Sequence, residues 1–446
     1  MENSKIKILH VSKTYFPEEI GGIEVYVHGL IHNIAKYGFS GAVAAPGKNS
    51  YNIEYDGVSV NRYAFDKEDR MEYAYSVPDK IAASEFVNVI NKVDPSIIHL
   101  HYLNSRISSL LLDIAHDRGI KTVFTYHGAA PSCLQQAMLL NGVKPCDGRM
   151  EYARCVRCYM MKQGISPTIA RSAATLPIGI SRPLARLPLH WPFSRFRVPG
   201  LIAEFHAHFR AMLAKVDHVV AICDWGADVL RRNGVCERKL SLSRLGITYG
   251  DEPTERHVNT YQGPAIRMAF FGRLDKLKGV DLIPEALQQQ PDAPIEVDLY
   301  LIRQSGDIKL FKRIEDYALK DKRIRIHPPA PPSAVRSTMA RYDFLVVPSR
   351  VLEGGPLVVL EAFSIGVPVL GARLGAIAEL VRDGIDGLLF EAEDASALAD
   401  TFRRIVDDPT IINRLRSGIG PVRTMRDVAS DMAHVYRTLL SSTNDI

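Results

Sequence analysis

The chain has little that would direct it into a membrane or to nucleic acid. Its 446 residues include no apolar run of about 18, so no transmembrane helix is predicted. A net charge of +5 is too small to indicate a nucleic-acid partner. The first apolar stretch, 6–11, is interrupted by Lys7 and His10, which is typical of a strand rather than a signal peptide. These absences favour a cytoplasmic protein.

No internal repeat and no long low-complexity tract is found either, and the length suggests two domains. Strand patterns alternate with helical patterns throughout, which predicts an α/β fold of parallel sheets covered by helices. The predicted strands are 6–11, 97–100, 122–126 and 219–222, then 268–271, 296–302, 344–347 and 368–370.

A polar, aperiodic stretch, 249–264, is interpreted as a linker between the two domains. The N-terminal domain is then 1–248 and the C-terminal domain 265–425, followed by a C-terminal helix, 426–446. Each domain is expected to be a doubly wound sheet that binds ligands at the carboxyl ends of its strands.

The most informative motif is a pair of glutamates, Glu353 and Glu361, that follows an apolar strand. The next residues form the predicted start of a helix: Gly354, Gly355, Pro356 and Leu357. Proline suits the first helical position, and a helix N-terminus is an anion site. In a helix the two carboxylates would lie roughly 12 Å apart. That spacing suits the two ends of a long ligand such as a sugar nucleotide, and it is too wide for an acid/base pair on one bond.

A second motif, about 80 residues earlier, carries basic side chains. Gly272 and Arg273 follow the predicted strand 268–271, and Lys278 precedes a predicted helix near Val280. Guanidinium and ammonium groups are the usual binders of phosphate. The two motifs together indicate a site for a nucleotide diphosphate.

With these motifs the chain resembles the retaining glycosyltransferases of family 4, most strongly over 266–391. The resemblance implies the GT-B fold, with two Rossmann-like domains facing across a cleft that closes on the substrates. It implies transfer of a sugar from a nucleotide-diphosphate donor to a glycan or lipid-linked acceptor, in bacterial polysaccharide or glycolipid synthesis. Glu361 would then hold the ribose, Glu353 the transferred sugar, and Arg273 and Lys278 the departing diphosphate.

The N-terminal half supplies two further candidates. Gly21 and Gly22 follow the first strand, where the resembling family has a loop facing the donor diphosphate and the acceptor. His127 ends the strand 122–126, where the family has a histidine that touches the transferred sugar or its phosphate. From the residues alone, an ordinary turn and a structural histidine remain alternatives. His99 and His101 lie on one face of their strand. They are expected to face solvent, and a place in the lining of the acceptor cleft is the alternative.

No Asp-x-Asp metal motif lies in a suitable loop, so the basic pair is expected to replace a divalent metal, and no cofactor is expected for catalysis. A separate cysteine cluster comprises Cys133, Cys146, Cys155 and Cys158. In a reducing cytoplasm the CxxC pair favours metal over disulfides, and four thiolates can hold a structural zinc. The spacing of Cys133 is unusual, so free thiols remain the alternative.

The stretch of about 160–215 is predicted to be an insertion rich in basic and aromatic residues. This composition suits an anionic lipid surface, which would place the protein on the inner face of the plasma membrane. A solvated insertion is the alternative. The side chains concerned are Arg182, Arg186, Arg195, Arg197, Arg210 and Lys215, with Trp191, Phe193, Phe196, Leu201, Phe205 and Phe209 among them.

Other functions stay open at this stage. A GT-B sugar-nucleotide epimerase would use similar donor contacts, and a non-catalytic protein could bind nucleotide sugars within a polysaccharide assembly complex. A phosphorylase would need a pyridoxal lysine, for which no clear motif is visible. The residues do not decide whether retention proceeds through a covalent intermediate or by attack on the leaving group's own face. The family resemblance implies the same-face route, in which the donor phosphate takes the acceptor proton.

Overall fold

The computed structural model describes residues 5–18, 21–66, 78–185, 193–248, 263–303 and 308–441. The chain divides into unit 1, Met1–Thr248 with Met425–Ile446, and unit 2, Tyr249–Thr424. Most of the predicted linker, 249–262, lies outside the described residues, and so do Arg186 and Trp191 of the predicted insertion.

Unit 1 is built on an eight-stranded sheet with the order β10-β9-β6-β5-β1-β2-β4-β3. All neighbours are parallel except the hairpin of β3 and β4. Two further strands, β7 and β8, pair only with each other. The strands are β1 (Ile6–Val11), β2 (Phe39–Gly47), β3 (Tyr51–Tyr55), β4 (Val58–Ala64), β5 (Ile97–Leu100), β6 (Lys121–Tyr126), β7 (Leu139–Leu140), β8 (Lys144–Pro145), β9 (His218–Ala221) and β10 (Leu240–Leu242).

The helices of unit 1 begin where the sequence provides caps and apolar faces. Asp79 caps α2 through Ala82 N, and Ser108 caps α3 through Leu110 N. The helices are α1 (Gly22–Ile34), α2 (Lys80–Val93), α3 (Ser109–His116), α4 (Tyr152–Lys162), α5 (Pro167–Ala174), α6 (Ile178–Ala185), α7 (Val198–Lys215) and α8 (Asp224–Arg232).

Unit 2 has a six-stranded, fully parallel sheet in the order β13-β12-β11-β14-β15-β16. The direction of chain progression reverses between β11 and β14, which is where doubly wound sheets bind ligands. The strands are β11 (Ile266–Arg273), β12 (Ile295–Ile302), β13 (Ile324–His327), β14 (Phe344–Val347), β15 (Val369–Ala372) and β16 (Gly387–Phe390). The helices are α9 (Leu282–Gln288), α10 (Ile308–Lys320), α11 (Val335–Met339), α12 (Leu357–Ser364), α13 (Gly375–Leu380), α14 (Ala395–Asp407) and α15 (Thr410–Gly418).

The last helix, α16 (Met425–Ser441), belongs to unit 1 and packs against α1. Its first residue donates from Met425 N to Ile247 O, at 2.9 Å. Tyr436 is fully buried. The prediction of an α/β fold with two parallel-sheet domains is confirmed. Within the described residues, no helix combines the length and apolar character needed to span a bilayer.

The predicted basic and aromatic insertion is mostly helical, and several of its marked side chains lie in the core. Phe205 and Phe209 on α7 are buried, and so is Arg197, which donates from Nε to Ala185 O at 3.1 Å. Phe196 lies before α7, in a 3-10 turn, Phe193–Arg197, and its exposed fraction is 62%. The side chains of Arg182, Arg195 and Arg210 are also exposed. Phe205 and Phe209 are buried because α7 packs against α3, α4 and α6.

Candidate active site

The loops that follow β11 and β14 meet where the chain order of unit 2 reverses. Arg350 N donates to Leu277 O at 2.8 Å, which joins the two loops directly. Gly279 has a φ of +69°, and a Cβ there would lie 1.9 Å from Pro348 O. Only glycine permits this approach. The two predicted motifs therefore form one site.

Glu353 occupies the centre of this site. Its Oε1 accepts from Lys278 Nζ at 2.7 Å and from Ser349 Oγ at 2.9 Å. Its carbonyl accepts from Ala376 N at 3.1 Å, in the first turn of α13, which follows β15. Gly375, with a φ of +53°, would place a Cβ 3.0 Å from Glu353 N. Three strand-end loops thus fix one carboxylate and its neighbouring ammonium group.

Arg273 completes the cationic side of the site. It ends β11 and is exposed, and its side chain makes no hydrogen bond or ion pair with any residue that the structure describes. Lys278 ends a 3-10 turn, Lys276–Lys278, so only Lys278 lies in the loop that was predicted to hold both. One free and one paired cation therefore lie near the end of β11, where an anion can be bound.

A supporting ion pair was missed from the sequence. Arg350 donates from Nη1 to Lys276 O at 2.8 Å and to the carboxylate of Asp281, which is 2% exposed. This pair fixes the loop after β11 relative to the loop after β14. A buried aspartate three residues after Lys278 gives no local signal, because its partner lies 69 positions away.

The helix of the glutamate motif starts later than predicted. It begins at Leu357, and Pro356 is its N-cap, with a ψ of 100°, because the proline has not entered the helical conformation. Glu353 is therefore in the loop, with Gly354 and Gly355, and the 12 Å helical spacing does not apply. No described side chain caps α12, so its first N–H groups can meet an anion.

Glu361 lies on the second turn of α12 and is half-buried. Burial raises the pKa of its carboxyl group, and Arg336 partly offsets this. Its carboxylate makes no hydrogen bond with the described residues. A half-buried acceptor of this kind suits the hydroxyls of a bound ligand.

In unit 1 the carboxyl ends of β1, β5 and β6 carry a chain of histidines. His10 Nδ1 lies 3.0 Å from His101 Nε2, and His101 Nδ1 lies 3.0 Å from His127 Nε2. Tyr26 packs edge-on against the His127 ring, with ring centroids 4.8 Å apart. Burial lowers the pKa of all three histidines, so each imidazole is neutral at neutral pH.

The hydrogen bonds of this chain indicate one set of tautomers. His10 Nε2 is buried and has no partner among the described residues. A buried N–H without a partner is rarer than an unsatisfied acceptor, so the single proton of His10 belongs on Nδ1. Each ring then donates from Nδ1 to the next Nε2, which leaves the proton of His127 on its own Nδ1. His127 is thereby held as a donor of fixed orientation.

The expectation that His99 and His101 face solvent is wrong. Both are buried, with exposed fractions of 0% and 1%, and their ring centroids are 4.1 Å apart. His99 contacts the hydroxyls of Tyr436 and Thr125, each at 2.7 Å. The helix α16 covers this end of the sheet, which local sequence could not show. Since His99 and His101 use both ring nitrogens, the group His10, His99 and His101 is a poor metal site.

The glycine pair lies at the start of α1. Gly21 is its N-cap with extended backbone, and a Cβ on Gly22 would meet nothing within 4 Å. The loop therefore exposes backbone at an open surface. Nearby, the buried Glu24 accepts from Thr14 Oγ1 at 2.6 Å, which ties the strand-end loop to the helix.

All four clustered cysteines line one cavity of about 40 Å³. Cys158 Sγ accepts from Gln135 Nε2 at 2.9 Å and from Asn141 N at 3.0 Å. Burial raises the pKa of Cys133, Cys155 and Cys158. The four are free thiols, and their sulfurs do not form a group with all ligand atoms within 4.8 Å.

Two family models match the chain. "Glycosyl transferases group 1" matches residues 251–419, and "Glycosyltransferase Family 4" matches residues 20–156. Together the two segments take up more than half of the chain, and each falls mainly in one structural unit.

Curated relatives agree with these matches. A D-inositol 3-phosphate glycosyltransferase of Catenulispora acidiphila is 28% identical over 47% of this chain and 53% of its own length. A protein of the same name from Corynebacterium efficiens is 32% identical over 40% of this chain and 43% of its own length. The chain thus spans about half the length of these relatives. One from an Arthrobacter species is 24% identical over 90% of this chain and 86% of the relative.

Solved structures share the fold. Sucrose-phosphate synthase from Thermosynechococcus elongatus has a TM-score of 0.63 at 18% identity, covering 98% of this chain and 100% of that one. Anabaena HepE in complex with UDP has a TM-score of 0.58 at 14% identity, covering 99% and 100%. The solved structures show the GT-B fold. The two family matches show that the chain belongs to the family 4 glycosyltransferases.

Proposed function

We propose that this protein is a retaining glycosyltransferase that uses a nucleotide-diphosphate sugar. The observation that carries the proposal is the arrangement in unit 2, where Lys278 pairs with Glu353 at the chain reversal of a parallel sheet and Arg273 ends the strand β11 beside that reversal. Cations and a free helix N-terminus bind a diphosphate, while the fixed carboxylate binds sugar hydroxyls. Family membership adds the expectation of transfer chemistry.

The main catalytic task of unit 2 is to stabilise the charge of the departing nucleotide diphosphate. Arg273 is available at once, because it has no described partner, and Lys278 can turn from Glu353 to a phosphate oxygen. Fixed cations in a site shielded from water are the largest single contribution to catalysis of this kind. The pair takes the place of a divalent metal, so activity is expected to survive chelation by EDTA.

Glu353 and Glu361 hold the two ends of the donor in this proposal. Release of Lys278 to the diphosphate frees Glu353 Oε1 to accept from a hydroxyl of the transferred sugar. Glu361 accepts from the ribose hydroxyls, which supply the hydrogen bonds that its carboxylate lacks. His127 donates from Nδ1 to the sugar or its phosphate. An acceptor hydroxyl bonds to the anomeric carbon on the face from which the diphosphate leaves, while the bond from that carbon to the diphosphate breaks. The departing phosphate takes the hydroxyl proton, and the configuration is retained.

For the donor base, the acceptor and the pathway, we propose only a chemical class. Structures of Anabaena HepE hold UDP and UDP-glucose, so UDP-sugars are the first donors to test. The acceptor is a glycan or lipid-linked sugar of a bacterial surface polysaccharide or glycolipid. The alternatives are a non-catalytic nucleotide-sugar protein of an assembly complex and a GT-B epimerase.

A thermal-shift panel with UDP, GDP, ADP and their sugar conjugates tests the proposal. A ligand that binds only the folded state raises the melting temperature by mass action. We expect one nucleotide class to give a shift that is lost in Arg273→Ala and retained in Lys276→Ala, its exposed neighbour. Binding without donor hydrolysis or transfer would favour the non-catalytic role, and no shift with any nucleotide would contradict the site.

Membrane contact is proposed for the helices α5 and α6. Ile169, Ile178 and Ile180 have exposed fractions of 58%, 45% and 60%, and Arg171 and Arg182 are exposed beside them in sequence. Apolar and basic side chains together bind anionic lipid surfaces. Co-sedimentation with vesicles containing phosphatidylglycerol should weaken in Ile178→Ser/Ile180→Ser. Two results would contradict this contact: equal co-sedimentation of the variant, or equal co-sedimentation of the wild type with vesicles of neutral lipid.

A structural zinc held by Cys133, Cys146, Cys155 and Cys158 is also proposed. The thiols come from three chain segments and share one cavity, although the sulfurs would have to move closer to bind one ion. We expect Cys155→Ser/Cys158→Ser to hold one zinc per chain fewer than the wild type by elemental analysis. Equal zinc content in the variant would rule this site out.

A further inference from the structure

A second group of metal-binding side chains lies on the surface of unit 1, outside the proposed active site. His28 and His32 are four positions apart on α1, so both project from one face of the helix. Asp56 faces them from the turn between β3 and β4, and all three ligand atoms lie within 4.8 Å of one another. Two histidines at this helical spacing form half of a familiar zinc motif.

The distances between these atoms match those within a coordination shell. His28 Nε2 lies 3.0 Å from Asp56 Oδ2, and His32 Nε2 lies 3.5 Å from the same oxygen. Ligands on a tetrahedral zinc, with bonds of 2.0–2.1 Å, are separated by about 3.3 Å. A metal ion could thus enter between these atoms with small side-chain movements.

The outer hydrogen bonds leave the Nε2 atoms directed at this point. His32 Nδ1 donates to His28 O at 2.9 Å, and a carbonyl can only accept, so the proton of a neutral His32 is on Nδ1. His28 Nδ1 contacts Tyr15 OH at 3.0 Å. Partners of this kind on the second ring nitrogen orient histidine ligands in metal sites.

The contacts of His32 Nε2 favour a cation at this point. His32 Nε2 faces two acceptors, Asp56 Oδ2 and, at 3.1 Å, Asp56 O. A neutral imidazole carries one proton, already used at Nδ1, so lone pairs and a carboxylate converge without a cation between them. Either a second proton on the ring or a metal ion meets this need.

We propose that His28, His32 and Asp56 bind a divalent transition metal such as Zn²⁺ or Ni²⁺. Imidazole and carboxylate together suit these ions, and water completes the coordination at this exposed position. The ion would fasten the β3–β4 hairpin at the sheet edge to α1, a structural role that is independent of the proposed transferase activity.

The test is Ni²⁺ binding to the full-length protein after removal of bound metals with a chelator. Equilibrium dialysis with elemental analysis compares the wild type with His32→Ala and Asp56→Asn. Asparagine suits the positive φ of position 56 (47°) and keeps the turn while removing the charge. The matched control is His434→Ala, which removes an exposed histidine of α16.

We expect the wild type and His434→Ala each to bind one Ni²⁺ at this site. His32→Ala should bind it about tenfold more weakly, or more weakly still. The melting temperature should rise with Ni²⁺ only in the first two proteins. Cys155→Ser/Cys158→Ser should retain this ion, which separates it from the cysteine cluster. Equal binding by His32→Ala, or no saturable binding by the wild type, would overturn the proposal and leave a protonated ion pair.

Discussion

The carboxyl ends of the two large sheets have opposite electrostatic character. In unit 1 the strand ends carry a chain of buried, neutral histidines that hydrogen bond to one another. In unit 2 they carry a free guanidinium, Arg273, and a Lys278–Glu353 ion pair that remains partly exposed. The same topological position thus supports a dry hydrogen-bond chain in one unit and an accessible ionic site in the other.

The difference follows from what each group requires. A buried charge is costly unless it is paired, whereas a neutral imidazole needs only one donor and one acceptor. The histidines can therefore be covered by α16 at little cost. A cation that must leave Glu353 for a phosphate needs solvent access, and the exposed fractions of 27% for Lys278 and 15% for Glu353 provide it. One region is built to hold a geometry, and the other to exchange partners.

The largest effect is expected from removing the cations of unit 2. Arg273→Ala or Lys278→Ala should lower kcat/KM by roughly 10²–10³, because the departing diphosphate loses a preorganised charge. Steady-state kinetics with the donor identified by thermal shift measures the loss. Lys276→Ala, on the same 3-10 turn, is the control and should retain nearly full activity. If kcat/KM falls by less than tenfold in both variants, the strand ends of unit 2 are not the ionic site that the comparison describes.

The next effect comes from interrupting the histidine chain. His101→Phe leaves His127 Nε2 without its donor and frees the ring to change tautomer, so kcat should fall by roughly 10–100-fold. Nucleotide affinity should not change, since the donor site of unit 2 is intact. His101→Gln, which keeps a donor and an acceptor, should restore part of kcat. An equal loss in both variants would indicate packing rather than orientation of His127.

Much of this architecture could be predicted from sequence. Strands such as 97–100 and 344–347 were placed correctly because they are short apolar runs next to helical periodicity. The strand β2 was missed because Phe39–Gly47 consists largely of small residues. The hairpin of β3 and β4 was missed despite its Asp56-Gly57 turn, a strong local signal.

The site was predictable where its residues share a motif and not where distant segments meet. Glu353 and Lys278 were identified separately, but their ion pair joins positions 75 apart. Gly375 and Ser349 support Glu353 from neighbouring loops and carry no chemical signature of their own. His99 binds Tyr436 across 337 positions, so its burial depends on where the last helix packs.

The next effect, expected from pH, is on stability and not on rate. Burial lowers the pKa of His10, His99, His101 and His127, so the unfolded chain binds protons near pH 6.5 that the folded chain does not. Stability is thus present above about pH 6.5 and is lost below it. At pH 5.5, one pH unit lower, each such histidine reduces the free energy of unfolding by about 1.4 kcal/mol. Hydrogen exchange at pH 7.5 and 5.5, corrected for intrinsic rates, should show unit 1 losing protection first. If unit 2, the internal control, loses protection equally, the buried histidines do not distinguish the two units.

The smallest effect is expected at Glu361, the half-buried carboxylate of unit 2. Burial raises its pKa, so ionisation destabilises the fold above that pKa and has no effect below the unfolded value near 4.5. Glu361→Gln should therefore melt slightly higher than the wild type at pH 7.5, and equally at pH 4. The same variant should bind nucleotide more weakly, because the amide is a poorer acceptor for ribose hydroxyls. Such opposite changes are typical of functional residues that reduce stability. A variant that is less stable at pH 7.5 would instead make Glu361 a structural residue.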